Sequence, residues 1–526
     1  MPVPASPPGV RPESSVREGD VGDVVLVSLY GIENRGIRYL SAVLRRNGFR
    51  PHQVYFKRWV NNRIQPPTPR EQDLLAGLVR DIHPLVVGLG FGTPYLGIAA
   101  KLTDRLRQVA PIPILWGGIH ATICPEDAIE HADIVCVGEG EQPLLDLCRA
   151  LCHGRDVSAI SNLWVRRGKE IIRNDIRPLL DNLDELPFPD YLQPDTWFIE
   201  DNRLRAMDPI RETAEYRLYP SRGCPYQCAY CYNSTMRQLF QGKGRYYRIR
   251  SAGNVIRELE SARRLLPRIR RVKFDGDVFA FPKPWLREFA QAYRERIGIP
   301  FEILTYPGEL DEEDFQLLRQ AGLQKIQVGV QSGSDAEVAG AYDRHSTGQD
   351  VRNTVAMAQR QGIEVVFDLI FDNPLATRED KHAMIEWLLA VPRPFRVYLY
   401  SLTVFPKTRL AADLMERGLI TPADIEGRAT KSFRQFRLSF DYPRPVEDVF
   451  WISLAILTSK SFIPKSWIRT WMESEKLRQH PWPLRLLAQI ADLLKNAWIA
   501  LDMLRHGELT LFKLRQYGSF GKIISQ

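Results

Sequence analysis

The sequence predicts an α/β protein in which a doubly wound parallel sheet comes first, a partial (β/α)6 barrel follows, and a helical region ends the chain. Three observations predict this order. Two runs of alternating strand-type and helix-type segments are separated by a proline-rich passage without clear periodicity. The spacing beyond about residue 430 is helical. The chain has 526 residues, too many for one hydrophobic core, and its 44% hydrophobic and 25% charged residues are typical of globular proteins.

The first run lies in residues 21–154 and predicts the doubly wound sheet. The segments DVVLVSLY, QVYF, PLVVGLGF, PILWGG and DIVCVGEGE alternate with helix-type segments such as IRYLSAVLRRNGF. Such alternation predicts a mostly parallel sheet with helices on both faces, and ligands bind beyond the carboxyl ends of its strands. A single glycine can simply end a strand, but four clusters along one edge favour a binding edge: Gly31 and Gly36; Gly88, Gly90 and Gly92; Gly117 and Gly118; Gly138 and Gly140.

The second run lies in residues 216–430 and predicts the partial barrel. Its strand-type segments are YRLYPSRG, RRVKFDGD, FEILTYP, KIQVGVQSG, EVVFDLIFD and FRVYLYSLTVF, with amphipathic helices between them. Six such units predict a partial barrel of TIM type, with an active site at the C-terminal ends of the strands. Between the two runs, residues 155–215 carry a short hairpin, NLWVRRGKEIIRN, and the passage LPFPDYLQP, which predict a connector.

The ends of the chain and its composition limit the function classes. Residues 1–20 carry five prolines and no long apolar run, which predicts a disordered leader and no targeting segment. No stretch reaches about 18 consecutive apolar residues, so we expect no transmembrane helix. Seven cysteines, three of them between 224 and 231, favour a reducing cytoplasmic compartment and a metal site over a disulfide framework. Most of the net charge of +8 lies in the tail, so we expect no nucleic-acid partner.

Three cysteines stand directly after the first predicted barrel strand. The segment SRGCPYQCAYCYNS places Cys224, Cys228 and Cys231 in the spacing C-x3-C-x2-C. Thiolates are the usual ligands of iron–sulfur clusters, and three of them leave one iron of a four-iron cluster open for a reaction. The alternatives are buried unreactive cysteines and a structural zinc site, which needs a fourth Cys or His. Since the first downstream histidine is His345, we predict the cluster.

This segment resembles the signature of the radical S-adenosylmethionine (SAM) superfamily, and the resemblance extends over about residues 216–420. It implies that the open iron binds the amino and carboxyl groups of S-adenosylmethionine. An electron from the cluster then cleaves this cofactor to methionine and a 5′-deoxyadenosyl radical. The resemblance also implies that Tyr230, the aromatic residue before the last cysteine, packs near adenine. The expected electron donor is a flavodoxin or ferredoxin.

Two further motifs resemble the SAM contacts of the superfamily. FDGDVF stands where relatives have a short glycine or acidic motif for the methionine amino group, which implies Asp275, Gly276 and Asp277. A solvated turn is the alternative for these three residues. VGVQSGSD resembles the fourth-strand motif near the ribose and the methionine moiety, which implies Gln331 and Ser332, although many relatives have Glu where Gln331 stands.

The remaining barrel motifs depart from the superfamily pattern. Arg344 is a candidate partner of the methionine carboxylate, because a guanidinium matches carboxylate geometry, and a surface arginine is the alternative. DLIFDNPLATRED resembles the fifth-strand G-x-P-x-E-T segment, but Asp372 and Asn373 replace its glycine region. FPKT resembles the last-strand P-G-T turn, with Lys407 in place of the glycine.

The N-terminal domain resembles the Rossmann-like cobalamin-binding domain of class B radical SAM methylases. GGIHAT at 117–122 and VGEGE at 137–141 carry this resemblance, and backbone amides in such turns suit a nucleotide phosphate. An empty doubly wound domain is the alternative. The cobalamin contacts that the resemblance implies are Gly31, Asn34, Gly90, Thr93, Gly117, Gly118, Gly138, Glu139, Gly140 and Glu141.

The axial histidine of many cobalamin domains is missing. Such domains carry D-x-H-x-x-G after the first strand, whereas this chain has GIENRG, with Glu33 where the histidine would stand. We therefore predict that no protein histidine ligates cobalt, which in this family favours a bare lower face and methyl transfer. His120 is a candidate ligand, but a hydrogen-bonded structural histidine is favoured.

The C-terminal region, residues 431–526, combines tryptophans with Lys and Arg. Trp451, Trp467, Trp471, Trp482 and Trp498 lie here, and PLRLLAQIADLLKNAWIALDML has helical spacing. Most such helices pack on a catalytic domain. The alternative is a helix lying on the inner membrane face, which favours a lipid-like substrate.

These features predict a cobalamin-dependent radical SAM methyltransferase that acts on an unactivated carbon of a small-molecule or lipid-like substrate. Its cofactors would be a 4Fe-4S cluster, S-adenosylmethionine and cobalamin. The alternatives are a cyclase or rearrangement enzyme with the same cofactors, and a non-catalytic cobalamin sensor or carrier with a vestigial barrel. The sequence lacks the cysteine-bearing N-terminal domain and small RNA-binding barrel of methylthiotransferases.

Overall fold

The computed structural model describes residues 22–58, 65–425 and 444–505. The chain divides into two compact units, here called unit 1 and unit 2. Unit 1 comprises the chain up to Arg211 together with Met236–Tyr246. Unit 2 comprises Glu212–Thr235 and the chain from Tyr247 onward. The predicted leader, residues 1–20, lies outside the described residues, and so do 426–443 and 506–526.

Unit 1 is built on a nine-stranded sheet with helices between its parallel strands. The strands are β1 (Asp23–Leu29), β2 (Arg50–Phe56), β3 (Val86–Gly90), β4 (Ile114–Gly117), β5 (Ile134–Cys136), β6 (Leu163–Arg167), β7 (Glu170–Arg173), β8 (Thr196–Glu200) and β9 (Arg203–Arg205). The helices are α1 (Arg35–Arg46), α2 (Pro69–Ile82), α3 (Leu96–Arg107), α4 (Ile119–Ile123), α5 (Pro125–His131) and α6 (Glu141–Cys152).

The central strands of this sheet are parallel and run in the order β5-β4-β3-β1-β2. Parallel strands are covered on both faces, so they consist of nearly continuous apolar residues. In β1, for example, Val24, Val25 and Val27 are all fully buried. Trp116 on β4 is also fully buried and packs edge-on against Phe91, at a ring-centroid distance of 4.9 Å. This arrangement confirms the predicted doubly wound sheet.

The segment 155–215, expected to be a connector, supplies four strands to the sheet of unit 1. The predicted hairpin forms β6 and β7, and β6 pairs antiparallel with β5. Strand β8 pairs in parallel with β2, and β9 pairs antiparallel with β8. These strands lie at the two edges of the sheet, where only short runs are needed. Short edge strands carry a weak periodic signal, which explains why the sequence pattern indicated a linker.

Unit 2 is built on a six-stranded parallel sheet in the order β10-β13-β14-β15-β16-β17, with a small antiparallel pair, β11 and β12, at its start. The large sheet comprises β10 (Glu215–Leu218), β13 (Arg271–Phe274), β14 (Phe301–Thr305), β15 (Leu323–Gln331), β16 (Glu364–Phe371) and β17 (Arg396–Ser401), and the small one β11 (Ser221–Arg222) and β12 (Arg248–Ile249). The strand order confirms the predicted partial barrel.

Helices alternate with these strands and cover one face of the sheet. They are α7 (Tyr232–Leu239), which contains a boundary between the units, α8 (Ala252–Leu265), α9 (Lys283–Arg296), α10 (Glu312–Ala321), α11 (Asp335–Gly340), α12 (Gly348–Arg360), α13 (Arg378–Ala390) and α14 (Arg409–Glu416). Aromatic rings fill the space under α9, where Phe274 lies 5.3 Å from Phe289 between ring centroids. The strand residues on the opposite face include charged side chains: Lys273, Glu302 and Lys325 form a chain of ion pairs. The inner face of the partial barrel is therefore polar.

The C-terminal region is helical, as predicted. It comprises α15 (Val446–Thr458), α16 (Lys465–Met472), α17 (Glu475–Gln479) and α18 (Trp482–Arg505). Helix α15 is buried along most of its length and packs against α13 and α18. Within the ranges that the structure describes, no helix is both long enough and apolar enough to cross a bilayer.

Candidate functional site

The three cysteines lie on the loop between β11 and α7. Turns bring them together: the backbone N–H of Cys231 donates to Cys228 O at 3.1 Å, and Ser234 N–H donates to Cys231 O at 3.1 Å. All three thiols are free, and Cys224 and Cys228 are buried. Burial raises the pKa of Cys224 to about 12 and that of Cys231 to about 11. Binding iron overcomes this penalty, because a metal-bound thiol loses its proton.

Polar side chains outside the loop donate to two of the cysteine sulfurs. Arg344 Nη1 lies 3.5 Å from Cys228 Sγ, and Asn233 Nδ2 lies 3.7 Å from Cys231 Sγ. In the part of the chain that the structure describes, no three His, Cys, Asp or Glu side chains are grouped to hold a single metal ion. A four-iron cluster needs a wider spacing than one ion, since each thiolate binds a different iron.

Tyr230 and Arg344 meet beside this loop, as a shared cofactor site requires. The Tyr230 ring packs edge-on against Tyr342 at 5.2 Å, and Arg344 Nη1 lies 3.4 Å from Tyr230 OH. Arg344 is only 6% exposed, so the alternative of a surface arginine is wrong. Its Nε is buried and has no hydrogen-bond partner among the described residues. A buried, unpaired N–H of a guanidinium fits a carboxylate ligand.

The motif after β13 divides into two carboxylates with different surroundings. Asp277 accepts a hydrogen bond from Tyr232 OH at 3.0 Å, next to the last cysteine, and burial raises the pKa of its carboxyl. Asp275 forms an ion pair with Arg217 at 3.2 Å instead. The structure therefore brings Asp277 to the cysteine loop, while Asp275 is paired with a strand cation. A Cβ on Gly276 would lie 3.5 Å from Ser221 Oγ, an ordinary contact.

The end of β15 has an unusual backbone. Gln331 adopts a φ of +69°, and the pairing of β15 with β16 shifts register between Gly329 and Gln331. A non-glycine residue in this region is strained and is found most often at functional sites. The carbonyl of Gly329 accepts from Arg344 Nη2 at 2.6 Å, and Ser332 Oγ accepts from the N–H of Ser334 at 3.1 Å. The predicted residues Gln331 and Ser332 thus adjoin the segment that holds Arg344.

The departures from the superfamily pattern have structural partners that the sequence did not indicate. Asp372, with a φ of +60°, accepts from Ser401 Oγ at 2.5 Å and pairs with Arg444 at 3.1 Å. Asn373 donates to Glu337 at 2.7 Å. Lys407 also has a φ of +60°, a conformation that glycine adopts without strain, which explains why a glycine suits this turn.

In unit 1, the strand order reverses between β1 and β3, and this is where an open sheet of this order binds its ligand. The predicted residues of both strand ends meet there. A Cβ on Gly90, the last residue of β3, would lie 3.9 Å from Asn34 Nδ2. Asn34 also caps α1 by accepting from the N–H of Ile37 at 3.3 Å. The oxygen of Gly31 accepts from Ser28 Oγ at 2.7 Å, which orders the loop after β1.

The loops after β4 and β5 are joined by Thr122, which sequence reasoning missed. Thr122 Oγ1 donates to Gly118 O at 2.9 Å and accepts from the N–H of Gly138 at 3.0 Å. Gly118 has a φ of +98°, and a Cβ there would lie 2.7 Å from Phe91 O. This glycine therefore allows the loop after β4, which Gly117 begins, to lie against the end of β3.

Glu139 and Gly140 directly precede helix α6, which begins at Glu141. Gly140 is its N-cap, and Glu141 lies in the first turn. Glu139 and Glu141 line a cavity of about 650 Å³ in unit 1 that is also lined by Arg46, Arg149 and Arg177. The two carboxylates thus face a pocket on the α1 and α6 side of the sheet.

His120 is held on both sides of its ring. Its Nδ1 lies 3.4 Å from Thr93 Oγ1, and its Nε2 lies 3.1 Å from Asp127 Oδ2. The neighbouring His120 ring lowers the pKa of the Asp127 carboxyl. These contacts agree with the expected structural histidine and bring Thr93 to the start of α4.

Two family models match successive parts of the chain. The model "B12 binding domain" matches residues 22–147, and the model "Radical SAM superfamily" matches residues 218–388. This chain is a cobalamin-binding radical SAM protein. Its cofactors are accordingly a 4Fe-4S cluster, S-adenosylmethionine and cobalamin.

Three curated relatives of this radical SAM protein are named as two methylating enzymes and one cyclase. An uncharacterized methyltransferase of Pyrococcus horikoshii is 24% identical over 345 residues, covering 64% of this chain and 70% of the relative. The anaerobic magnesium-protoporphyrin IX monomethyl ester cyclase of Rubrivivax gelatinosus is 22% identical and covers 76% of this chain and 73% of the relative. The hopanoid C-3 methylase of Methylococcus capsulatus is 27% identical over 52% of this chain and 50% of the relative.

Solved structures of the same class share the fold. The cobalamin-dependent radical enzyme OxsB, with aqua-cobalamin and S-adenosylmethionine bound, superimposes with a TM-score of 0.63 at 16% identity, covering 93% of this chain and 76% of that chain. The methyltransferase TsrM of Kitasatospora setae, with cobalamin and a [4Fe-4S] cluster bound, gives a TM-score of 0.60 at 18% identity over 90% of this chain and 100% of that chain.

Proposed function

We propose that this radical SAM protein is a C-methyltransferase that acts on an unactivated carbon of a small-molecule or lipid-like substrate. The observation that carries the proposal is the group of Cys228, Tyr230 and Arg344, in which a buried guanidinium nitrogen has no described partner, in a chain that also holds a B12-binding domain. When bound, the three cofactors supply hydrogen-atom abstraction and a transferable methyl group.

The residues of unit 2 would hold the cluster and S-adenosylmethionine. Cys224, Cys228 and Cys231 would ligate three irons. Arg344 Nε would bind the methionine carboxylate, since this N–H is buried and without a described acceptor. Asp277 would accept from the methionine ammonium, because it is the motif carboxylate that adjoins the cysteine loop. Tyr230 would pack against the adenine.

The residues of unit 1 would hold cobalamin at the edge where β1 and β3 diverge. The glycine turns after β4 and β5, which Thr122 joins, would face the ligand. His120 would not ligate cobalt, since its Nδ1 contacts Thr93 Oγ1 and its Nε2 lies 3.1 Å from the Asp127 carboxylate. The electron donor would be a flavodoxin or ferredoxin.

The alternative function is ring formation or rearrangement with the same cofactors. The support for this alternative is the relative from Rubrivivax gelatinosus, which is named as a cyclase and matches 76% of this chain. The experiment that separates the two is anaerobic reconstitution with cobalamin and iron, followed by mass spectrometry of the nucleosides formed with candidate substrates. Methyl transfer requires S-adenosylhomocysteine and a methylated product. Deoxyadenosine without S-adenosylhomocysteine would support the cyclase, and no cleavage of SAM at all would support the non-catalytic carrier.

We also propose that the C-terminal helices contact an anionic membrane surface. One face of α18 packs on α15 through Leu484, Ala488 and Ala491, which are buried. The opposite face is apolar, and its members recur every three or four residues, as an interfacial helix requires. They are exposed by 42% to 68%: Trp482, Leu486, Ile490, Leu493, Leu494, Trp498, Leu501 and Leu504.

The charge of this region favours anionic lipid over other partners for that face. From residue 451 to the end, the sequence has 11 Lys and Arg and 5 Asp and Glu, a net charge of +6. Sedimentation with vesicles of phosphatidylglycerol and phosphatidylcholine tests the proposal. We expect Trp498→Ser to weaken binding about tenfold, and Leu265→Ser, at an exposed leucine of α8, to leave it unchanged. Equal binding of all three proteins, or no binding of the parent protein, would refute the membrane contact.

A further inference from the structure

The guanidinium of Arg344 contacts one of the cluster cysteines directly. Its Nη1 lies 3.5 Å from Cys228 Sγ, and its Nη2 donates to Gly329 O at 2.6 Å. The Tyr306 ring lies 4.3 Å from the guanidinium carbon and stacks on it. These contacts fix a permanent positive charge beside one of the three thiols, because arginine keeps its proton in proteins.

Donors of a different kind serve the other two cysteines. Cys231 Sγ lies 3.7 Å from the side-chain amide of Asn233, and the Cys224 thiol accepts from the backbone N–H of Tyr226. Both donors are neutral. Hydrogen bonds to cluster sulfurs and the local net charge are among the features that set the reduction potential of an iron–sulfur cluster. Arg344 places a charged donor at Cys228.

We propose that Arg344 raises the reduction potential of the cluster through its N–H···S contact with Cys228. The inference rests on the presence of the cluster at these cysteines. Reduction adds one electron from an external one-electron reductant and transfers no proton to the protein. The added negative charge is shared by the thiolates, so the fixed cation stabilises the reduced form. Different nitrogens of the guanidinium then make the two interactions: Nη1 contacts the cysteine sulfur, and the buried Nε remains available to a carboxylate.

The test is a dithionite redox titration, followed by electron paramagnetic resonance, on reconstituted full-length protein without S-adenosylmethionine. We expect Arg344→Met to lower the ratio of reduced to oxidised cluster about tenfold at a fixed solution potential, which for one electron is about 59 mV. Arg352→Met is the matched control, because Arg352 is a partly exposed arginine on α12 whose guanidinium donates to Gln349, and it should leave the ratio unchanged. A parental ratio in Arg344→Met with full iron content would overturn the proposal.

If Arg344→Met fails to hold the cluster, a second variant, Arg344→Gln, provides the test. Arg344→Gln keeps an N–H donor but removes the positive charge and shortens the side chain, so a shift in the same direction supports the proposal and an unshifted potential refutes it. Weaker binding of S-adenosylmethionine with an unchanged potential would show that Arg344 serves the cofactor carboxylate alone. Because the titration contains no substrate, its result does not depend on whether the enzyme is a methyltransferase or a cyclase.

Discussion

Arg38 and Asp208 form a two-pronged ion pair in the interior of unit 1. Arg38 Nη1 donates to Asp208 Oδ2 at 2.8 Å and Nη2 donates to Asp208 Oδ1 at 2.9 Å, with side-chain exposures of 0% and 1%. Nη2 also donates to Ile32 O at 2.9 Å, in the loop after β1. The pair therefore connects the proposed cobalamin edge to the segment that precedes the barrel in sequence.

Removing one partner of this pair should destabilise the protein strongly. In Arg38→Met the Asp208 carboxylate is left buried without its cation, which costs about 3–5 kcal/mol of unfolding free energy. Urea denaturation followed by circular dichroism measures the change. Arg80→Met is the matched control, because Arg80 pairs with Asp81 at the surface, where an ion pair contributes at most about 1 kcal/mol. Equal effects of the two substitutions would contradict this account.

The same pair should make stability depend on acid. Burial alone would raise the pKa of the Asp208 carboxyl, but the Arg38 guanidinium outweighs burial and holds this pKa below its ordinary value. A lowered folded-state pKa gives stability that is present above the unfolded value of about 3.9 and is lost as the pH falls through the folded value. Asp208→Asn should therefore flatten the fall of the urea midpoint below about pH 4. A slope as steep as that of the parent protein would argue against Asp208 as a contributor.

A methyl group at Gly118 should damage the loop after β4. Alanine would have to adopt a φ of +98° and place its Cβ 2.7 Å from Phe91 O, so we expect a loss of about 1–3 kcal/mol and weaker cobalamin binding. Gly97→Ala is the control, since a Cβ there meets nothing within 4 Å, and it should be tolerated. Denaturation curves and equilibrium dialysis with hydroxocobalamin measure both effects, and parental values for Gly118→Ala would contradict the proposed role of the turn.

Replacing the loop cysteines should abolish the cluster. After anaerobic reconstitution, we expect the variant with Cys224, Cys228 and Cys231 all changed to alanine to contain almost no iron or sulfide, because thiolates hold the irons. Cys148→Ala removes a buried cysteine of α6 and should keep the parental iron and sulfide content. Iron and sulfide that persist in the triple variant would refute the assignment.

Cobalt should have no histidine ligand. Glu33 stands at the sequence position of the axial histidine, and His120 is engaged by Thr93 and Asp127. The electron paramagnetic resonance spectrum of cob(II)alamin in the protein should therefore be the same with natural-abundance histidine and with ¹⁵N-histidine. A change in nitrogen hyperfine splitting on labelling would identify a histidine ligand.

Much of the fold could be predicted from local sequence, because parallel strands are continuous apolar runs and the helices between them are amphipathic. The edge strands could not. Strand β8 pairs with β2, far away in sequence, and nothing in Thr196–Glu200 indicates which strand it joins.

The candidate site was predicted unevenly. The cysteine spacing and the glycine turns have local signatures, and the predicted residues around Cys228 do lie together. The burial of Arg344 depends on the stacking of Tyr306 and on Gly329 O, which come from other elements. Thr122 and Arg444 act through contacts that form only in the folded chain. Residue types alone therefore indicated the chemistry of the site, but not the contacts that hold its residues in place.

The return of Met236–Tyr246 to unit 1 has a consequence for dissecting this enzyme. Phe240 belongs to that segment, and its ring lies where a Cβ on Gly138 would come within 2.9 Å. A fragment that stops at 211 would omit Phe240 and expose the turn that this ring covers. The cobalamin-binding unit therefore cannot be separated from the barrel by cutting the chain at a single point. A corrinoid-binding domain transplanted from this chain would have to include Met236–Tyr246.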